Sequence, residues 1–215
     1  MAVSGSRGFF ADRCNDSLRL TREYTVAIGP APIVYLDGQR FCYKWTAVGA
    51  SSPYITLQSF RAPATYEMVC LIKKNIQAPD NNKMGFQNYF TWRSGTNYYK
   101  VGVVSNIDIN RIATGVTTWS NLVVPSPTYT NDIWYNYKFR ASDRDVRVKI
   151  WQLGVAEPNW TANNLVWVAG GAENPIKRTR PLGDIIGFGT YFPVAGDTLQ
   201  ISDIRITPIR KVGGP

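Results

Sequence analysis

YNYKFRASDRDVRVKIWQLGVAEPNW, Tyr135 to Trp160, is the stretch that decides the fold. Tyr135, Tyr137 and Phe139 alternate with Asn136, Lys138 and Arg140, so one side of a strand is aromatic and the other polar. A polar turn, Ser142 to Asp145, leads into Val146, Val148 and Ile150, which alternate with Arg147, Lys149 and Trp151. Two alternating runs joined by a short polar turn make a β-hairpin with one half-buried face. Beyond it, Trp151 and Trp160 are expected to pack across Pro158, and Glu157 to cap a turn.

Working outward, strand signals continue in both directions. Tyr24, Val26 and Ile28 alternate until Gly29-Pro30 breaks the run. In VYLDGQRFCYKW, Asp37-Gly38 is a strong hairpin signal, with Phe41, Tyr43 and Trp45 on one face. Tyr54 to Phe60 reads as a weaker strand, and the nearly continuous apolar run from Tyr66 to Ile72 as a central one. Phe86 to Trp92, Tyr98 to Ser105 and Ile107 to Ile112 follow, then LVWVA after Asn164. The last pair is Asp184 to Tyr191 and Thr198 to Thr207. There Leu199 and Ile201 are out of phase with Ile204 and Ile206, so a β-bulge is expected at Ser202-Asp203. No window carries a sustained helical period. About a dozen strands and no long helix predict an all-β, two-sheet antiparallel jelly-roll sandwich.

The hairpin, the W-x-x-G-x-x-E-P-x-W segment after it and the ending GDIIGFGTYF…DTLQISDIRI resemble the concanavalin A-like, laminin-G-like jelly-roll domains common in bacteriophage and bacterial surface-binding proteins. The resemblance spans roughly Glu67 to Thr207. It implies a non-enzymatic subunit of a phage particle, in a tail fibre, baseplate or capsid decoration, with virion location. Such a subunit would contact other virion proteins and its own copies, a trimer being favoured, and could adhere to host cell-surface polysaccharide. The fold alone does not assign an activity. A free-standing lectin-like module is the alternative, and a glycan-processing enzyme a third.

Composition bounds these classes. The 215 residues suit one domain, expected over 23–210, with an extended arm over 1–22 and a tail over 211–215. The arm carries Phe9 and Phe10, read as contacts to a neighbouring subunit. Net charge is +9, from 24 Lys and Arg against 15 Asp and Glu, which favours acidic partners. The cations are scattered and no nucleic-acid-binding motif is present, which argues against nucleic acid. The densest cluster is Lys177, Arg178 and Arg180, a candidate anion or partner contact. No run is long and apolar enough for a membrane span or signal peptide, so synthesis in the host cytoplasm is expected. Cys14, Cys42 and Cys70 are too few and too dispersed for a disulfide framework.

Catalysis finds little support. The chain has no histidine, which removes Ser-His-Asp and Cys-His systems. Its glutamates, Glu23, Glu67, Glu157 and Glu173, never form the E-x-D-x-x-E of jelly-roll glucanases. No cofactor is expected; Asn106, Asp108 and Asn110 alternate in a way that calcium could use, but read as solvated positions. Sugar binding needs rings to stack on pyranose faces and amides to read hydroxyls. Trp92, Tyr98, Tyr99, Trp119, Tyr129 and Trp134 are the candidate rings, near Asn88, Asn97, Asn121 and Asn131.

Overall fold

A strand with all its apolar side chains on one side needs a second apolar sheet to cover them, and this chain builds both. The computed structural model describes residues 9–63, 65–77, 79–80, 83–94, 97–103, 106–113, 116–125, 128–141, 145–160, 165–168, 185–192 and 194–209. The elements run β1 (Phe10–Asp12), α1 (Ser17–Glu23), β2 (Tyr24–Ile28), β3 (Ile33–Asp37), β4 (Arg40–Thr46), β5 (Tyr54–Leu57), β6 (Tyr66–Asn75) and β7 (Phe86–Ser94). They continue with β8 (Asn97–Val103), β9 (Asn106–Ala113), β10 (Val116–Pro125), β11 (Trp134–Ala141), β12 (Asp145–Gln152), β13 (Leu165–Val168), β14 (Ile185–Thr190) and β15 (Thr198–Pro208). An eight-stranded sheet has the order β13-β12-β11-β6-β15-β4-β3, with β1 also paired to β15. A seven-stranded sheet has the order β10-β9-β8-β7-β14-β5-β2. Every pairing between them is antiparallel.

The opening hairpin forms in the expected register, with Tyr137 opposite Ile150 and Phe139 opposite Val148. All four side chains are buried. They meet the seven-stranded sheet through ring contacts: Phe86 lies edge-on to Tyr137 at 4.8 Å, and Phe90 meets Phe139 at 5.2 Å. Such pairs add about 1 kcal/mol each beyond the area they bury. The Asp37-Gly38 hairpin also forms, Asp37 pairing with Arg40 across a turn in which Gly38 has φ 61°. Phe41 departs from its expected face-mates: Tyr43 and Trp45 are core, whereas Phe41 is 43% exposed. Cys14, Cys42 and Cys70 are free and buried.

The bulge in β15 lies where the phase slip placed it. Register against β6 shifts between Ser202 and Arg205, and Asp203 adopts φ 49°. The extra residue lets Leu199 and Ile201 before it, and Ile204 and Ile206 after it, all point into the core. It also divides the strand's far edge, β4 pairing with Thr198 to Ile201 and β1 with Ile204 to Ile206.

The N-terminal arm needs correction. From Phe10 onward it belongs to the sandwich: Phe10 is 6% exposed and packs on Phe60 of its own chain, with ring centroids 5.5 Å apart. Asp12 is buried and holds the segment down. Its carboxylate accepts hydrogen bonds from the Tyr43 hydroxyl at 2.7 Å, the Tyr24 hydroxyl at 3.0 Å and the Cys14 backbone N–H at 2.8 Å. A short helix follows, capped by Asp16, whose side chain accepts from the Leu18 N–H, and anchored by buried Leu20. Of the two phenylalanines, Phe9 keeps the exposure expected of the arm, at 59%.

Candidate ligand-binding faces

The two sheets present opposite outer faces, and both follow from the alternation that builds the core. On the eight-stranded sheet, burying Tyr137, Phe139, Val146, Val148 and Ile150 turns Lys138, Arg140, Arg147 and Lys149 outward. Strand register then sets cation beside cation: Lys138 opposite Lys149 and Arg140 opposite Arg147. Like charges directly opposite on neighbouring strands repel. Two carboxylates relieve that repulsion. Glu67, on β6, sits 2.9 Å from the Arg140 guanidinium and 3.4 Å from Lys138 Nζ. Glu157 comes back over the sheet on the segment after β12 and pairs with both Lys138, at 3.0 Å, and Lys149.

Trp160 completes the arrangement, its ring 4.3 Å from Lys149 Nζ and 5.3 Å from the Arg140 guanidinium. Lys149 also donates to the Pro158 carbonyl at 2.9 Å. Glu157 is thus an ion-pair partner of the hairpin rather than a turn cap. The hydrogen bond from Lys149, followed by that from Lys138, holds its carboxyl below the usual glutamate range against the opposing effect of burial.

Beside this lattice an open cleft of about 380 Å3 lies over β6, between β11 and the bulged β15. Val69, Leu71 and Leu153 supply apolar surface, and Glu67, Asn136, Asp203, Arg205 and Thr207 supply polar groups. Asp203 pairs with Arg40, whose guanidinium lies 5.6 Å from the Trp134 ring. Trp134 donates its indole N–H to Asp37 at 3.0 Å, and Lys73 pairs with the same carboxylate. Trp134 also adjoins the cleft, because its carbonyl accepts from the Leu153 N–H at 2.8 Å.

On the seven-stranded sheet the outward residues include Tyr54 and Thr56 of β5 and Gln87 and Tyr89 of β7. Tyr54 and Tyr89 stack at 4.8 Å, in a cluster separate from the main core. They lie against β14, where side chains are absent at two alternate positions. A Cβ on Gly189 would come within 2.5 Å of Tyr54 Cβ, and one on Gly187 within 2.8 Å of the Ile55 carbonyl. The Tyr89 hydroxyl donates to Gln87. All four outward side chains are buried, so they form a floor rather than free stacking rings.

The sequence-derived ring set divides between the faces. Trp92 on β7, Tyr98 and Tyr99 on β8 and Trp119 on β10 share the seven-stranded sheet. Their backbones are placed, with Tyr99 opposite Arg111 and Arg111 opposite Trp119, while their side chains lie outside the described residues. Tyr129 is corrected: it is 1% exposed, edge-on to Tyr135 at 5.3 Å, and belongs to the core because the loop before β11 folds inward. Asn88 likewise points into the core between Phe86 and Phe90, and Asn131 spends its amide on both backbone groups of Ile76. Lys177, Arg178 and Arg180 lie outside the described residues. The cleft residues escaped the sequence reading, although the phase slip that turns Asp203 and Arg205 outward was visible in it.

Several solved structures share this fold. The exoplasmic/lumenal domain of VIP36, in a Ca2+/Man2-bound form, is 11% identical with a TM-score of 0.62 over 90% of this chain and 83% of that one. Lectin II from Ulex europaeus is 7% identical with a TM-score of 0.58, covering 93% and 97%. Protein SO2946 of unknown function from Shewanella oneidensis MR-1 is 11% identical with a TM-score of 0.56, covering 100% and 92%. No family model and no curated protein matches the chain. The fold is that of the concanavalin A-like lectin sandwiches.

VIP36 is described in both Ca2+-bound and metal-free forms. The described residues here do not fit calcium. No three carboxylates and thiols gather as a candidate site among them. Asp197 is engaged by backbone, its two oxygens accepting from Gln77 N–H at 2.8 Å and Val194 N–H at 3.0 Å. Asp132 accepts from the Asn75 amide at 2.8 Å. Both carboxylates act on Lys74, a buried ammonium whose pKa burial lowers to about 8 while Asp132 and Asp197 oppose the shift. The positive charge these loops accommodate is a lysine of the chain itself.

Proposed function

We propose that this sandwich is a non-catalytic carbohydrate-binding protein, and that its saccharide lies in the cleft of the eight-stranded sheet. The observation that carries the proposal is the cleft's composition. A pyranose has an apolar C–H face and a hydroxylated edge. Val69, Leu71 and Leu153 suit the first, and Asn136, Thr207 and the carboxylates suit the second. Solved relatives support it: VIP36 is described with mannose bound and lectin UEA-II complexed with galactose. Glu67 and Asp203 are each tied to arginine, which favours holding hydroxyls over proton transfer. Binding to a glycan array tests the reading. Asn136→Ala should weaken a bound saccharide about fivefold, with Trp92→Ala and Trp119→Ala affecting it less. Loss confined to the two tryptophan variants would move the site to the seven-stranded sheet. Release of reducing ends from a polysaccharide would overturn the non-catalytic reading.

A second reading, a self-associating subunit of a phage particle, is favoured by one exposed edge. β2 and β3 are the terminal strands of their sheets, and Val26, Ile28, Ile33, Leu36 and, on β4, Phe41 are exposed there. Residues 25–36 carry no charged side chain, so two copies of a chain with net charge +9 can meet there without like-charge repulsion. The occupant of this edge is a second copy. Light scattering of the purified protein should then give an oligomer that Ile33→Lys dissolves; a monomer at high concentration would exclude it. Mass spectrometry of purified particles tests the virion setting.

A further inference from the structure

We infer that the cleft selects an acidic saccharide, whose anionic group is held by Arg205. The inference rests on the carbohydrate-binding reading and adds the ligand's charge class. Arg205 stands apart from the other cations of its face. Lys138, Arg140 and Lys149 are matched by Glu67 and Glu157, Lys73 by Asp37, and Arg40 by Asp203. Arg205 lines the cleft and is exposed, and among the described residues it has no carboxylate or ring partner. Neither cleft carboxylate serves it, since each is committed to another cation. Its strand neighbours are Val69 on one side and Ala11 on the other, both too short and apolar to cover a guanidinium.

The cause lies in the bulge. Asp203 at φ 49° resets the phase of β15, so that Ile204 and Ile206 enter the core and Arg205 and Thr207 emerge into the cleft. A planar guanidinium offers paired N–H groups that fit the two oxygens of a carboxylate or phosphate. Thr207 on β15 and Asn136 on β11 stand on opposite walls of the cleft, where sugar hydroxyls beside the anion would be read. A uronic-acid carboxylate and a sugar phosphate share this chemistry.

The test is a binding titration with three oligosaccharides of the same backbone: one with uronic acids, one with phosphate and one carboxyl-reduced and neutral. The wild type should bind an acidic form at least about tenfold tighter than the neutral one, with affinity falling as salt rises. The uronate and phosphate arms tell which anion is preferred. Arg205→Gln should bring the affinity for the acidic forms down to that for the neutral one; Arg205→Lys should restore only part of the difference. Arg147→Gln, on the same face but outside the cleft, should keep the preference. Equal affinity for acidic and neutral forms, or a preference that survives Arg205→Gln, would overturn the inference while sparing the carbohydrate-binding reading. Failure of every oligosaccharide to bind would overturn both.

Discussion

The outer faces of the two sheets solve the same problem in opposite ways. Each strand must bury every second side chain, and the other half is left over. On the eight-stranded sheet the remainder is charged, and register forces like charges together until Glu67, Glu157 and Trp160 are drawn in between them. On the seven-stranded sheet the part over β5, β14 and β7 is neutral: Tyr54 and Tyr89 lie over Gly187 and Gly189, with Gln87 and Thr56 beside them. One face is held by attraction between charges, the other by the absence of side chains. The two should therefore fail under different perturbations, while the core they share fails under a third.

The largest expected effect belongs to that shared core. Burial raises the pKa of Cys14 and Cys70 and of Tyr24 and Tyr137, and pushes Cys42 up to about 12. In the unfolded chain cysteine ionises near pH ~8.5 and tyrosine near ~10. Their stabilising contributions are thus complete below those values and are lost as pH rises toward the folded pKa values. Lys74 acts in the opposite sense: with its folded pKa lowered to about 8, its contribution becomes more favourable as pH rises from there toward the unfolded value. Several groups oppose one, at about 1.4 kcal/mol per pH unit for each group within its window. Denaturant melts between pH 8 and 10.5 should show a steep net loss of stability, and a flat profile would contradict the burial described.

Next in size is a steric break confined to the neutral face. Gly189→Ala places a Cβ 2.5 Å from Tyr54 Cβ and 2.8 Å from the Pro53 carbonyl. It should cost about 3 kcal/mol in urea denaturation. Gly49→Ala, with nothing within 4 Å of the added carbon, should be nearly neutral. A smaller loss, about 2 kcal/mol, is expected for Glu157→Gln on the charged face, because Lys149 is only 3% exposed and would lose its carboxylate. The wild-type contribution of Glu157 is present above the usual glutamate pKa and disappears as pH falls through its lowered folded value. Glu157→Gln should accordingly flatten the acid limb of the stability profile, whereas Gly189→Ala should leave that limb's shape unchanged.

The sequence shows alternation well and adjacency poorly. The β11–β12 hairpin, the Asp37-Gly38 turn and the β15 bulge are local, so a few consecutive residues determine them. β1 is three residues long, too short to display a period, and its partner is Ile204 to Ile206 at the far end of the chain. The helix Ser17–Glu23 is likewise too short for a periodic signal. Asn88 resembles a surface amide in sequence, yet its position between Phe86 and Phe90 in the strand phase sends it inward. The cleft required knowing that β11 and β15 flank β6, a matter of topology rather than pattern.

Backbone amide chemical-shift mapping of the isotopically labelled protein, titrated with a bound saccharide, tests the central claim most directly. If the charged face is the ligand site, shifts will cluster on Glu67, Leu71, Asn136, Leu153, Arg205 and Thr207, leaving β7 to β10 undisturbed. Shifts concentrated on Gln87, Tyr89, Tyr98 and Trp119, with the cleft silent, would contradict it.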